Sequence, residues 1–350
     1  MKIVTVVGAR PQFIKAAVVS RAVRRSHREV LVHTGQHYDA QLSDIFFREL
    51  ALPHPDYHLG VGSDSHARQT ARMLEGLEEL LLLERPERVI VYGDTNSTLA
   101  GALAAAKLNL PLAHVEAGLR SYDRSMPEEL NRVLTDHCAD FLFCPTAIAV
   151  DNLANEGIAK GVHLVGDVMY DSVLQQTSSD DEASETLSRF GLTAGGYALA
   201  TVHRAANTDD ASRLESILKA LASLAEPVAL PLHPRTRKSM AAAGLSAASN
   251  VRVLEPLGYG DMQALEKNAR CILTDSGGVQ KEAFFFGVPC VTLREETEWP
   301  ETVQCGWNVL AGVDSKRIVE AAKRSAPQGE RPSLFGDGHA AEKIARLLGE

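Results

Sequence analysis

The residues able to carry chemistry in this 350-residue chain fall in a few short blocks, and the densest is Thr274-Asp-Ser-Gly-Gly-Val-Gln-Lys-Glu282. An apolar run (CILT) ends there, a Ser-Gly-Gly turn follows, and a helical pattern opens. Two glycines let a ligand approach the backbone, and the first N–H groups of a helix are unpaired donors at its positive end. Ser276, Gly277 and Gly278 are therefore read as a diphosphate cradle, with Glu282 about one turn on, where a carboxylate can accept from a ribose diol. The alternative is an ordinary turn with Ser276 or Asp275 as N-cap. Near the other end, Gly8-Ala-Arg-Pro-Gln-Phe-Ile-Lys15 also follows an apolar run. Pro11 suits the first helical position, Arg10 precedes it as a cation and Lys15 lies one turn along.

Carboxylates form the second group. Asp94 directly follows VIVYG, Glu116 follows LAHV with Gly118 and Arg120 beside it, and Glu128-Glu129 opens a helical stretch after Pro127. Several carboxylates sharing one site split their protonation states, which supplies an acid and a base near neutral pH. Caps and salt bridges are the competing reading, above all for Glu128 and Glu129 in a first turn. His203, in TVHR, can move a proton or meet a phosphate. His233, in LPLHPRTRK, is balanced between the two kinds of role. His37, His114 and His137 read as loop or helix hydrogen-bonders, with no metal-ligand spacing among them.

The elements that must position these groups follow from an alternation of short apolar runs with amphipathic helical patterns, the mark of a parallel sheet covered on both faces. Strands are predicted at Ile3–Val7, Val30–Thr34, Arg88–Tyr92, Leu112–Val115 and Phe141–Cys144, and another short apolar run, Val162–Val165, leads into Gly166-Asp167. After the polar stretch Thr177–Glu185, either a solvated helix start or a linker, a second series is predicted at Tyr197–Val202, Val228–Pro231, Val251–Leu254, Cys271–Thr274 and Cys290–Leu293. The fold class is α/β, as two doubly wound domains facing across a cleft. The candidate residues all stand just after strands, where ligands bind in such sheets. A final amphipathic helix is predicted at Ala340–Leu348.

Composition narrows the function classes. Apolar residues make up 45% and charged residues 23%, too well mixed for disorder, and the formal charge of −9 opposes general nucleic-acid binding. The five cysteines are odd in number and form no CxxC pair, so neither a disulfide framework nor a zinc knuckle is indicated. No apolar run reaches the ~20 residues that span a bilayer. The start MKIVTVVGARPQ lacks a signal-peptide pattern, so the expected location is cytoplasmic. With no GxGxxG after the first strand and no Tyr followed four residues later by Lys, nicotinamide and other redox cofactors are not expected.

In order along the chain, GARPQFIK, HTGQH, VYGDTNST, HVEAGLRS, PEELNRVLTDH, VGDVMYD, TVHR, TDSGGVQKEA and FGDGHAAEKIARLL resemble the non-hydrolysing UDP-N-acetylglucosamine 2-epimerases over essentially the whole length. The resemblance implies a GT-B architecture of two Rossmann-like domains. Residues 1–168 plus 334–350 would form the N-terminal domain with a returning helix, and 169–333 the UDP-binding domain. It implies reversible C2 inversion of UDP-GlcNAc to UDP-ManNAc through elimination of UDP and its re-addition to 2-acetamidoglucal. Asp94, Glu116 and Glu128 would be the acid/base carboxylates and His203 would contact the departing diphosphate. Arg10 would meet the phosphates with Lys15 nearby, Ser276, Gly277 and Gly278 would cradle them, and Glu282 would hold the ribose. No cofactor or metal is implied, and a homodimer is.

Three departures stand beside that resemblance. Ala205-Ala206-Asn207 replaces a glutamate expected shortly after His203-Arg204. Residues 36–44 differ from the element tied to activation by a second substrate molecule. Glu298-Trp299-Pro300 replaces Glu-Arg-Pro. The chain also resembles relatives acting on UDP-2,3-diacetamido-2,3-dideoxyglucuronic acid. A hydrolysing epimerase, a GT-B glycosyltransferase and a silent nucleotide-sugar binder are the remaining alternatives.

Overall fold

A computed structural model describes residues 1–36, 50–176 and 180–350. His37 and the segment through Asp44, where the substrate-activation element falls, lie outside the described residues. The chain divides into two compact units, Met1–Gln175 with Ser333–Glu350, and Gln176–Pro332.

In the first unit seven parallel strands are ordered β3-β2-β1-β4-β5-β6-β7. They are β1 Lys2–Val7, β2 Arg28–His33, β3 Tyr57–His58, β4 Arg88–Tyr92, β5 Leu112–Val115, β6 Phe141–Cys144 and β7 Val162–Leu164. The second unit repeats the plan as β10-β9-β8-β11-β12-β13. Its strands are β8 Ala198–Thr201, β9 Val228–Pro231, β10 Val251–Leu254, β11 Cys271–Thr274, β12 Cys290–Thr292 and β13 Asn308–Leu310. Each sheet therefore reverses its winding once, between β1 and β4 and between β8 and β11. A doubly wound sheet opens a crevice at such a point, outside the carboxyl ends of its strands.

The strands read as near-continuous apolar runs because both faces are covered. In β8, Ala198 and Ala200 pack on one side with Leu214, Ile217 and Ile318, while Leu199 and the preceding Tyr197 pack on the other with Leu187, Leu265 and Ala283. In the first unit, Val4, Val6, Val89 and Val91 pack on Met73, Leu77 and Leu81. Several helices start on side-chain caps. Thr95 accepts from the Thr98 N–H at 3.3 Å, and Thr146 accepts from the Ala149 N–H at 3.3 Å.

Two strands escape the sequence pattern. Tyr57–His58 has two residues, too few to show a run, and Asn308–Leu310 has three and opens on a polar one. The polar stretch after residue 176 leads into a helix, Asp180–Arg189. The last helix, Ala340–Gly349, packs on Arg10–Val23, and its Ala341 N–H donates to Asp171 Oδ2 at 2.7 Å.

Candidate functional site

In the first unit the loops after β1, β4 and β5 meet at the winding reversal. Helix Arg10–Val23 opens at Arg10, with Pro11 in its first turn. Gln12, buried, clamps the loop. Its Oε1 accepts from the N–H groups of Gly8 and Ala9 at 2.8 and 3.0 Å, while its Nε2 donates to the Tyr92 carbonyl at 2.9 Å. This ties the end of β1 to the end of β4. Lys15, one turn further and nearly buried, ion-pairs with Glu116.

Glu116 stands at φ +73°, the left-handed region, which costs a residue with a Cβ about 1–2 kcal/mol. The conformation is held because the N–H groups of Glu116 and Ala117 both donate to the Phe143 carbonyl at 3.1 Å. Such strain concentrates where a side chain must be aimed, and this one is aimed at Lys15. Gly93, at φ +61°, lies against the same pair. A Cβ there would be 3.2 Å from Lys15 Nζ and 3.4 Å from Glu116 Oε2. Only a glycine serves that position without strain or crowding.

Asp94 follows Gly93 and ion-pairs with Arg132, whose Nη1 also donates to Glu129 Oε2 at 2.7 Å. The Asp94 carbonyl accepts from Asn131 Nδ2 at 2.9 Å. Glu128 and Glu129 share the first turn of helix Pro127–Cys138 but differ in setting. Glu129 is buried and accepts from the N–H groups of Ser121 and Tyr122, each at 2.9 Å, so it is a loop anchor. Glu128 is half-buried. The structure thus brings Asp94 and Glu116 to the ends of adjoining strands, with Lys15 one turn into helix Arg10–Val23 and Glu128 at the start of the helix that carries Arg132.

The second unit builds its site the same way. Asp275, fully buried after β11, accepts the His203 N–H at 3.0 and 3.1 Å and the Arg204 N–H at 3.0 Å. Asn207 Nδ2 adds a donor to it at 3.1 Å, which gives the polar residue after Ala205-Ala206 a clear task. His203 Nδ1 lies 3.4 Å from Asp275 Oδ1, and 37% of the side chain is exposed. Desolvation lowers the His203 pKa. Asp275 opposes that shift, whereas Arg204, Arg235 and Arg294 reinforce it. Ser276 is the N-cap of helix Gly277–Phe286, its Oγ accepting from the Val279 N–H at 3.5 Å. Gly277 and Gly278 are the first two helical residues, and Glu282 lies buried on the same helix.

Arg294 lies outside the motifs read from sequence, and other neighbours take parts the sequence did not assign. Arg294, just past β12, grips Glu298 with Nη1 and Nη2 at 3.1 and 3.0 Å, and Glu298 Oε2 would be 3.4 Å from a Cβ on Gly277. A cation two residues beyond a strand end was the signal that could have marked it. Lys281 lies 4.3 Å from the centre of the Trp299 ring, a cation–π contact. His233 is an N-cap, its Nδ1 accepting from the Arg235 N–H at 3.2 Å, with its ring 5.5 Å from that of His203. His114 belongs to neither a loop nor a helix. It is buried in β5, and its ring is held at both nitrogens, 2.6 Å from Asp136 Oδ1 and 2.7 Å from the Gly93 carbonyl oxygen. Among the described residues no group of three or more His, Cys, Asp or Glu is arranged to hold a metal ion. No described helix is long and apolar enough to cross a membrane.

Two Rossmann-like domains in one chain, each carrying polar groups at its winding reversal, place the protein among GT-B-class α/β enzymes. The family model for UDP-N-acetylglucosamine 2-epimerase matches residues 21–349. The chain belongs to the UDP-N-acetylglucosamine 2-epimerase family, and it is an isomerase. It is 52% identical to a UDP-N-acetylglucosamine 2-epimerase homolog of Methanococcus maripaludis over 99% of both chains. It is also 52% identical to the UDP-2,3-diacetamido-2,3-dideoxy-D-glucuronate 2-epimerase of Pseudomonas aeruginosa, again over 99% of both. The crystal structure of Methanocaldococcus jannaschii UDP-GlcNAc 2-epimerase in complex with UDP-GlcNAc and UDP superposes with a TM-score of 0.92. That alignment has 42% identity and covers 100% of this chain and 99% of the other.

Proposed function

We propose that the protein inverts C2 of UDP-N-acetylglucosamine to give UDP-N-acetylmannosamine, by anti elimination of UDP and its re-addition to 2-acetamidoglucal. The observation that carries this reading is the pairing of two strand-end carboxylates with cations, Glu116 with Lys15 and Asp94 with Arg132. A neighbouring cation favours the charged carboxylate, the form able to take a proton.

In the elimination a carboxylate takes the C2 proton and the C2–H electron pair becomes the C1=C2 bond. The C1–O bond breaks as that double bond forms, and UDP leaves with the C1–O electron pair. Re-addition with proton delivery to the opposite face of C2 completes the inversion. Asp94, Glu116 and Glu128 share the acid and base roles. The C2 proton is not acidic, because the acetamido group is attached through nitrogen. Stabilising the departing diphosphate is therefore the larger part of catalysis. The helix N-terminus at Ser276, Gly277 and Gly278 takes that part with His203, Arg10 and Lys15, while Glu282 holds the ribose. A lowered pKa keeps His203 neutral near pH 7, able to accept or donate a hydrogen bond at the phosphate.

A second substrate, UDP-2,3-diacetamido-2,3-dideoxyglucuronate, is favoured by the identity to the Pseudomonas aeruginosa enzyme. We also infer a cytoplasmic homodimer. The five cysteines are free, as a reducing compartment keeps them, and Leu130 and Leu134 lie 41% and 48% exposed one turn apart on helix Pro127–Cys138.

Proton NMR of the protein with UDP-GlcNAc in D2O tests the reaction. UDP-ManNAc with deuterium at C2 of both sugars is the expected result. Free ManNAc with UDP points instead to hydrolysis. No change with UDP-GlcNAc, together with turnover of the diacetamido uronate, selects the second substrate.

A further inference from the structure

We propose that His114, Asp136 and Arg120 form a buried positioning relay that sets the loops of Asp94 and Glu116, with His114 held as an imidazolium. This rests on the acid/base roles proposed for those two carboxylates. The geometry begins with the two faces of the His114 ring. Nε2 lies 2.7 Å from the Gly93 carbonyl oxygen, which can only accept, and Nδ1 lies 2.6 Å from Asp136 Oδ1. A ring that faces an acceptor at each nitrogen donates from both, and only the imidazolium has two N–H groups.

Asp136 is the hub. Its second oxygen accepts from Arg120 Nη1 at 2.7 Å and from the Gly118 N–H at 3.1 Å. Arg120 in turn places Nε and Nη2 on the two oxygens of Glu156, at 2.6 and 2.7 Å. His114, Asp136 and Arg120 are all buried. Buried charge is tolerated when it is paired, and this chain alternates: His114 and Arg120 are positive, Asp136 and Glu156 negative. A neutral His114 would leave it one negative charge in excess. The remaining titratable groups around it do not change that balance. Cys144 stays a thiol because burial pushes it up to about 12, and half-exposed His137 meets Glu156 at 3.3 Å from the solvent side. Burial works against the Asp136 charge, yet the His114 and Arg120 charges prevail and hold its carboxyl below the ordinary value.

The relay reaches the reaction through two glycines. His114 fixes the carbonyl of Gly93, the residue before Asp94 and the one whose Cα faces the Lys15–Glu116 pair. Asp136 fixes the N–H of Gly118, two residues after Glu116. Asp136 also lies on the helix that begins at Glu128. One carboxylate thereby locks three elements that carry proton-transfer groups, and small misplacements of such groups cost about 100-fold in rate.

Nitrogen-15 NMR of the histidine-labelled full-length protein at about pH 8, where ordinary imidazoles are neutral, tests the protonation state directly. The expected spectrum contains a ring with both nitrogens protonated, and that signal disappears in His114→Gln. Absence of any doubly protonated ring from the unmodified protein overturns the proposal, as does persistence of the signal in His114→Gln. This readout needs no substrate, so it stands apart from failure of the epimerase reading, which would show as no turnover by the unmodified enzyme. Kinetics tests the positioning role through Asp136→Asn. The expected result is a kcat about 100-fold lower with the UDP Kd within about threefold, because the proposed cradle at Ser276, Gly277 and Gly278 belongs to the other unit and the Asp136 carboxylate bonds to His114, Gly118 and Arg120 rather than to Arg10 or Lys15. An unchanged kcat removes Asp136 from that role.

Discussion

Asp275 receives the backbone N–H of His203 on both of its carboxylate oxygens, at 3.0 and 3.1 Å, while the His203 ring Nδ1 stands 3.4 Å from one of them. The carboxylate fixes both the loop and the charge beside the ring. Desolvation lowers the His203 pKa, and Asp275 moderates the shift. The acid limb of kcat/KM that belongs to His203 is therefore expected below the ordinary value of about 6.5. Asp275→Asn removes the group that raises the pKa, so the limb should move to still lower pH as the maximal rate falls. A pH–rate profile of the two proteins checks both. Movement of the limb upward would contradict this account.

Gly93 offers a test of crowding at the carboxylate cluster. It combines φ +61° with a would-be Cβ 3.2 Å from Lys15 Nζ and 3.4 Å from Glu116 Oε2. Gly93→Ala should lose about 1–2 kcal/mol of stability from the left-handed backbone alone. It should also disturb the Lys15–Glu116 pair, so kcat is expected to fall well beyond what the stability loss explains. Urea denaturation and turnover, measured on one preparation, separate the two effects.

Legibility from sequence followed burial and distance along the chain. β4, β5, β6, β9 and β11 coincide with predicted strands because each is a largely buried run of four or five residues with both faces covered, and the edge strand β10 coincides through its VRVL pattern although Arg252 and Val253 are exposed. β3 is too short to make such a run, and β13 opens on a polar residue that leaves it only two apolar ones. Asp94, Glu116, His203 and Ser276 could be singled out because each stands within two residues of a strand end. What orders them could not. Asp136 lies 22 residues from His114, Asp275 lies 72 residues from His203, and Arg132 reaches Asp94 across 38 residues. Those pairings exist only once parallel strands bring distant loops together. Glu128 and Glu129 show the same limit, since adjacent identical residues take different settings according to which way the helix turns them.

Asp171 and His33 give the first unit opposite responses to acid. Burial raises Asp171 from 3.8 to about 6, although the N–H groups of Ala340 and Ala341 donate to it. The folded state thus holds that proton more tightly than the unfolded chain does. The associated stability is fully present below about pH 4 and is lost as pH rises through 6, a change of about 3 kcal/mol at most. Burial lowers His33 from 6.5 to about 4, so its stabilisation is present above 6.5 and is lost as pH falls through 4. Asp171→Asn should therefore gain stability relative to the unmodified protein as pH is raised from 4 to 6.5. Urea midpoints across that range check the sign, and a variant that loses stability relative to the unmodified protein as pH rises would sink the assignment.

The proposed dimer can be broken without touching the reacting groups. Leu130 and Leu134 stand exposed four residues apart on helix Pro127–Cys138, whose other face holds buried Glu129, Arg132 and Asp136. Residues four apart share a helix face, so the two leucines form one apolar strip pointing away from the relay and the carboxylates. A second copy covering that strip would remove it from water, and a charge placed there would oppose its burial. Leu134→Glu is expected to shift the protein from dimer to monomer in light scattering, with the urea midpoint of the monomer little changed. A dimer that survives the substitution at micromolar concentration would move the interface to another face.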